Sequence, residues 1–235
     1  MLTAIYEQDF LPCSFGGRPE LSAHHALATL NEVIAGGKIS WVLEADLKNF
    51  FGSLNHDWVL RFVEHRVGDP RLISLIRRWL KAGVLEDGAV HPSDKGTPQG
   101  GSISVLLSNL YLHYVLDLWF ERVVKKRLRG EARLVRYIDY FVICFQHRSD
   151  AVRVQDALRL RLGKFDLTLE PTKTKLVEFE RCQRRSKNAS AGRSKNTSAM
   201  LAGRPRTGGL FFGHQAWVGL STEASALARR ERRLL

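Results

Sequence analysis

Leu134-Val135-Arg136-Tyr137-Ile138-Asp139-Tyr140-Phe141-Val142-Ile143-Cys144-Phe145 is the stretch on which the fold turns. It divides into two strand-like runs, Leu134 to Ile138 and Phe141 to Phe145, with a turn between them. Downstream, Asp150 to Phe165 has the spacing of an amphipathic helix, and Leu167 to Leu169 and Leu176 to Phe179 read as short strands. Upstream, Gly100-Gly101 precedes a long helix with an apolar stripe from Ile103 to Trp119, which exits into a basic stretch ending at Arg136. Further upstream, Ile39 to Leu47 is a buried strand, rich in β-branched and aromatic residues. A helix starts at Ser22 and stops at Gly36-Gly37, another runs from Asn55 or Asp57 to about Val67, and a third runs from Pro70 to Lys81. Val84 to Lys95 holds two short β-prone pieces around Glu86-Asp87-Gly88, a hairpin signal.

Without the insert between the first helices and the strand pair, the order is strand, helix, strand, strand, helix, strand. That is the split βαβ order of ferredoxin-like α+β domains, an order used by unrelated functions. In this arrangement the first and third strands are neighbours. Asp46, at the end of the first strand, and Asp139, between the later two, would then meet although they lie far apart in the chain. A buried carboxylate is costly unless paired or bound to a cation, and a divalent cation would relieve the repulsion between two. Oxygen ligands favour Mg²⁺, and metal-bound carboxylates suit phosphoryl transfer. Read singly, each Asp equally caps a turn.

Composition bounds the rest. The chain has 235 residues, with 44% hydrophobic and 26% charged residues, enough for one sizeable core. Of its net charge of +12, +10 belongs to residues 181–235, which hold 12 of the 36 basic side chains and two of the 24 acidic ones. Such a tail suits an anionic partner such as nucleic acid, or is simply a solvated end. Cys13, Cys144 and Cys182 form neither a disulfide framework nor a metal knuckle, which gives a cytoplasmic setting by default. The N-terminus does not read as a signal peptide, and no apolar run near membrane-spanning length is expected.

Gly96-Thr97-Pro98-Gln99-Gly100-Gly101-Ser102-Ile103-Ser104 is similar to the GTPQGG signature of group II intron-type reverse transcriptases. Glu44 to Phe51 resembles their first catalytic motif, His56-Asp57 their H-D, and Arg136 to Val142 their R-Y-A-D-D-F-V. Ser14-Phe15-Gly16-Gly17-Arg18-Pro19, Leu169 to Thr174 and Leu210-Phe211-Phe212-Gly213 resemble further family segments in collinear order. The resemblance implies a right-hand polymerase palm with partial fingers. It places the fingers at 1–40 and 70–110, the palm at 41–69 and 111–180, a basic linker or loop at 181–209, and the start of a truncated thumb at 210–235. It makes Asp46 and Asp139 catalytic, and Asp46, Asp139 and the Leu47 carbonyl ligands for Mg²⁺. Phe51 becomes the gate against a 2′-hydroxyl, while Gln99, Gly100, Arg18 and Lys173 contact nucleotide, template or primer. Arg122, Lys125, Lys126 and Arg127 are candidates for nucleic-acid contact. Taken alone, Lys173 reads as a solvated strand-end lysine and Arg18 as a surface residue. The implied activity is RNA-directed DNA synthesis from deoxynucleotides on a primer, with an RNA template such as intron RNA and no membrane partner.

The departures from the pattern are specific. Tyr140 stands where the family has a second aspartate, and a phenol is a weak magnesium ligand. Gly17, Glu20, Leu21 and Val105 also differ, and the segments expected before and after the match are short or missing. The expectation is a copy truncated at both ends with impaired catalysis. The alternatives are a non-catalytic, maturase-like remnant that holds intron RNA, and an unstable fragment.

Overall fold

The computed structural model describes residues 2–36, 38–81, 84–86, 89–91, 95–97 and 102–178. Gln99, Gly100, the basic linker at 181–209 and the apolar patch at 210–218 lie outside the described residues.

The elements run α1 (Leu2–Tyr6), α2 (Ala23–Gly36), β1 (Trp41–Ala45), α3 (Phe50–Ser53), α4 (His56–Glu64), α5 (Pro70–Lys81), β2 (Val84–Glu86), β3 (Ala89–His91), α6 (Ser102–Leu112), β4 (Ala132–Tyr137), β5 (Tyr140–Phe145), α7 (Arg148–Gly163) and β6 (Lys175–Glu178). Local chemistry sets several boundaries. Asn55 caps α4 by accepting from the backbone N–H groups of Asp57 and Trp58 at 2.9 and 3.2 Å. Asp69 does the same for Arg71 at 2.9 Å, and Pro70, which has no N–H to lose, opens α5.

The main sheet has the order β4-β5-β1-β6, with every adjacent pair antiparallel. This is the split βαβ arrangement, with the first strand inserted between the third and fourth. Its two faces are covered differently. Leu43, Ala45, Phe141, Ile143 and Phe145 belong to a core shared with α4, α6 and α7. Val42, Val135, Val142 and Cys144 pack with Ala26 and Leu30 of α2 and with Phe15. The alternation follows from the pleat, which sends successive side chains to opposite faces. β5 lies between two neighbours and beneath both layers, so Phe141 to Phe145 are buried without a break.

The long helix departs from expectation. α6 continues through two π-helical stretches, His113–Asp117 and Phe120–Val124, and a 3-10 turn, Lys125–Arg127. A π turn takes more residues per turn than an α turn, so it rotates the residues that follow. Asp117, ending the first π stretch, is fully buried. The span Ile103–Arg127 is long and apolar enough to cross a membrane by length and composition, which corrects the expectation that no such run exists. Packing explains its apolarity, because 67% of its most apolar window is buried inside the protein.

Two smaller corrections follow from tertiary pairing. Leu167 to Leu169 forms only an isolated bridge, Leu169 to Leu47, in place of a full strand. The first strand stops at Ala45, and the chain then enters the short helix α3 through Asn49, whose backbone is left-handed at φ 44°.

Candidate active site

β1 and the β4–β5 hairpin deliver the two carboxylates to the same end of the sheet. Ala45 pairs with Phe141, so Asp46 continues toward Tyr140, while Tyr137 pairs with Tyr140 and leaves Ile138 and Asp139 as a two-residue turn. Asp46 is buried at 8% exposure. Burial, and next the charge of Asp46, push the Asp139 carboxyl from the usual 3.8 up to about 6, opposed by a backbone hydrogen bond, Lys173 and Arg136. The charge of Asp46 thus acts on the Asp139 carboxyl across the end of the sheet.

Leu47 follows Asp46 with a defined orientation. Glu170 donates its N–H to the Asp46 carbonyl and Lys48 donates to the Thr168 carbonyl, both at 2.9 Å, on either side of the Leu47–Leu169 bridge. In such a pair the bridged residues turn their own carbonyls away from each other. The Leu47 carbonyl therefore faces away from the Leu169 segment. Lys173, at the far side, donates from Nζ to Asp46 Oδ2 at 2.7 Å. Tyr140 donates its hydroxyl to Glu44 Oε1. Burial, followed by that hydrogen bond and the charge of Glu44, raises the phenol pKa far above its ordinary value, so Tyr140 is neutral.

Phe51 is half-buried, edge-on to Phe50 with ring centroids 5.5 Å apart. The start of the glycine-rich segment docks on the same turn. Thr97 N–H reaches the Phe51 carbonyl at 2.8 Å and Gly96 N–H reaches the Leu54 carbonyl at 2.7 Å. Gly96 has φ +86°, and a side chain there would meet the Phe51 carbonyl at 2.8 Å, so glycine is needed. His56, buried, lies 2.6 Å from the Gly96 carbonyl through Nε2, so this nitrogen carries the proton. His56 of the H-D pair thus clamps Gly96 beside Phe51, a link that motif matching alone did not supply.

Arg18 turns to the N-terminal segment. Its guanidinium binds Glu7 at 2.5 Å, the Leu11 carbonyl at 3.0 Å and the Ser14 carbonyl at 2.8 Å, and stacks over Phe10. The basic candidates Arg122, Lys125, Lys126 and Arg127 lie at the other end of the sheet. They precede β4, whose first residue pairs with Phe145, so roughly 20 Å of strand separates them from the turn. Arg122, Lys126 and Arg127 are exposed, and Lys125 pairs with Glu121 at 2.8 Å.

Sequence reading missed the group behind the turn. Arg136, fully buried, is held by Asp117, Asn109, Ser14 and the Ile138 carbonyl. The signal was present: a charged residue inside an apolar strand run, and Asp117 inside the helix stripe, each demand a partner when buried.

A model of the family described as "Reverse transcriptase (RNA-dependent DNA polymerase)" matches residues 2–206. The chain belongs to this reverse transcriptase family. Its relatives include the group II intron-encoded protein LtrA of Lactococcus lactis subsp. cremoris, 37% identical over 139 residues, which cover 57% of this chain and 23% of LtrA. Protein YkfC of Escherichia coli strain K12 is 37% identical over 153 residues, covering 63% and 39% of the two chains. The chain thus spans well under half the length of these relatives. Telomerase from Candida albicans, solved in complex with a fragment of telomeric RNA, superposes with a TM-score of 0.58 at 11% identity over 81% of this chain and 34% of that one. That likeness establishes the fold, a polymerase palm-like antiparallel sheet with helices. Asp46, Asp139 and Lys173 come together in this chain; Arg18 and the basic group at 122–127 sit elsewhere.

Proposed function

We propose that this domain is the palm, with part of the fingers, of a group II intron-type RNA-directed DNA polymerase whose catalysis is impaired by Tyr140. The carrying observation is the convergence of Asp46 and Asp139 at one end of the sheet. Among the described residues no three His, Cys, Asp or Glu side chains gather around one ion position. Two carboxylates and the Leu47 carbonyl nevertheless fit Mg²⁺, an ion that keeps several waters and takes its remaining ligands from substrate phosphates. When bound, the ion supplies charge stabilisation at the entering and leaving oxygens.

The residues around the pair then have distinct roles. Lys173 neutralises Asp46 and stands where an incoming phosphate would meet a cation. Phe51, backed by Phe50 and by the clamp of His56 on Gly96, lines the sugar side. Gln99 and Gly100 would touch nucleotide and template. Arg18 would need to leave Glu7 to reach a triphosphate. Tyr140 contributes a neutral hydroxyl, spent on Glu44, at the position of a second charged ligand. Residues 1–40 and 70–110 serve as fingers, 41–69 and 111–180 as palm, and 210–235 as the start of a thumb.

The test is primer extension on an RNA template with deoxynucleotides and Mg²⁺. Weak synthesis by the unmodified chain, rising in Tyr140→Asp, is expected. Robust synthesis by the unmodified chain overturns the impairment, and no synthesis by either removes the polymerase reading. The tie between Tyr140 and Glu44 also favours a second reading, a non-catalytic domain that holds intron RNA through exposed basic residues such as Arg122, Lys126 and Arg127. Salt-sensitive RNA binding that Asp46→Asn leaves unchanged would support it.

A further inference from the structure

Arg136 is the last residue but one of β4 and has no exposed surface. Its guanidinium has five N–H groups, and each has an acceptor. Nε and one Nη2 hydrogen take the two carboxylate oxygens of Asp117, at 2.8 and 2.6 Å. That bidentate pair balances the charge by itself. The other three donors go to groups from three separate places: Ser14 Oγ at 2.8 Å, Asn109 Oδ1 at 2.9 Å and the Ile138 carbonyl at 2.8 Å.

Those acceptors surround the turn that carries Asp139. Ile138 has φ +57°, an uncommon conformation for a β-branched residue, and it persists only where its surroundings impose it. The Ile138 carbonyl belongs to the peptide group that also contains the Asp139 nitrogen, so fixing that carbonyl fixes the plane from which Asp139 departs. The opposite side of the turn is closed by Gly16, where a methyl group would lie 2.6 Å from both the nitrogen and Cγ1 of Ile138. Gly16 is itself held through its carbonyl by Asn109 Nδ2 at 2.7 Å. The backbone of Arg136 adds two bonds to the same segment, its N–H to the Cys13 carbonyl at 2.7 Å and its carbonyl from Phe15 N–H at 2.9 Å.

We propose that Arg136 is a positioning residue: it holds the Ile138–Asp139 turn so that the Asp139 carboxylate is directed at the cation shared with Asp46, and it locks residues 13–16 to that turn. This rests on the reading of Asp46 and Asp139 as cation ligands. A residue that merely balanced Asp117 would leave the turn indifferent to the other three hydrogen bonds.

The experiment measures Mn²⁺ affinity of the full chain by electron paramagnetic resonance, at a temperature where circular dichroism shows each variant folded. Arg136→Lys keeps a charge for Asp117 but cannot also span to Ile138, Asn109 and Ser14. Its affinity should fall by about tenfold or more, the usual cost of losing an outer-shell partner. Asp150→Asn is the control, since buried Asp150 accepts two backbone N–H groups at 3.0 Å and is remote from the turn. It should lower the unfolding temperature and leave affinity within twofold of the parent. If Arg136→Lys does not fold, Asn109→Ala carries the test, because it removes one guanidinium acceptor and frees Gly16 while leaving the Asp117 pair; the same loss is expected. Parental affinity in a folded Arg136→Lys or Asn109→Ala protein, or an equal loss in Asp150→Asn, overturns the proposal. Mn²⁺ binding by the parent that Asp46→Asn abolishes establishes the cation site separately; its absence overturns that reading and the positioning role with it.

Discussion

Replacing Asp139 with Asn removes one titrating group from a site where burial and the Asp46 charge disfavour ionisation. Its carboxyl is held at about 6 in the folded protein, against the usual 3.8. The folded state therefore binds this proton more tightly than the unfolded chain. Asp139 favours folding at acid pH, and that advantage is lost as pH rises from 3.8 through about 6. The gap amounts to about 3 kcal/mol in all, of which about 2 kcal/mol falls between roughly pH 4.5 and 7.5. Urea unfolding in chelator-treated buffer, run at both pH values on parent and Asp139→Asn, isolates the contribution, because every other titrating group is common to both proteins. The parent should lose about 2 kcal/mol relative to the variant over that window. At the higher pH, Mg²⁺ should return part of the loss to the parent and none to the variant, since an ion that binds only the folded state stabilises it. Parallel pH curves, within about 0.5 kcal/mol, would show that Asp139 is neither desolvated nor coupled to Asp46.

Tyr140→Asp should raise primer extension by about tenfold or more, the scale of a single charged group acting at the reacting centre, with initial rates compared at equal Mg²⁺. Asp117→Leu alone should cost about 3–5 kcal/mol in urea unfolding because it strands Arg136, whereas Asp117→Leu combined with Arg136→Met should cost less. If Arg122, Lys126 and Arg127 bind RNA, replacing all three with Ala should flatten the dependence of log affinity on log salt by about one for each phosphate no longer neutralised. An unchanged slope in filter binding would place the RNA surface elsewhere.

The sequence by itself determined the periodicities and the fold class. Alternation and apolar runs located β1, β4 and β5, a start at Asn55 or Asp57 and the proline at 70 located α4 and α5, and the order of elements already implied the pairing of the first strand with the third. It also named Asp46, Asp139 and Tyr140. Such signals are local, because a pleat, a cap or a motif is written in neighbouring residues. Tertiary structure decided what those residues touch. Lys173 reaches Asp46 across 127 positions, Tyr140 reaches Glu44 across 96, and Ser14 reaches Arg136 across 122. The same holds for the long helix, where composition alone cannot tell a membrane span from a core helix and only packing beneath the sheet does. Buried polar groups must find partners, yet the chain states only the demand; the partner is fixed when the sheet closes and brings distant donors and acceptors within reach.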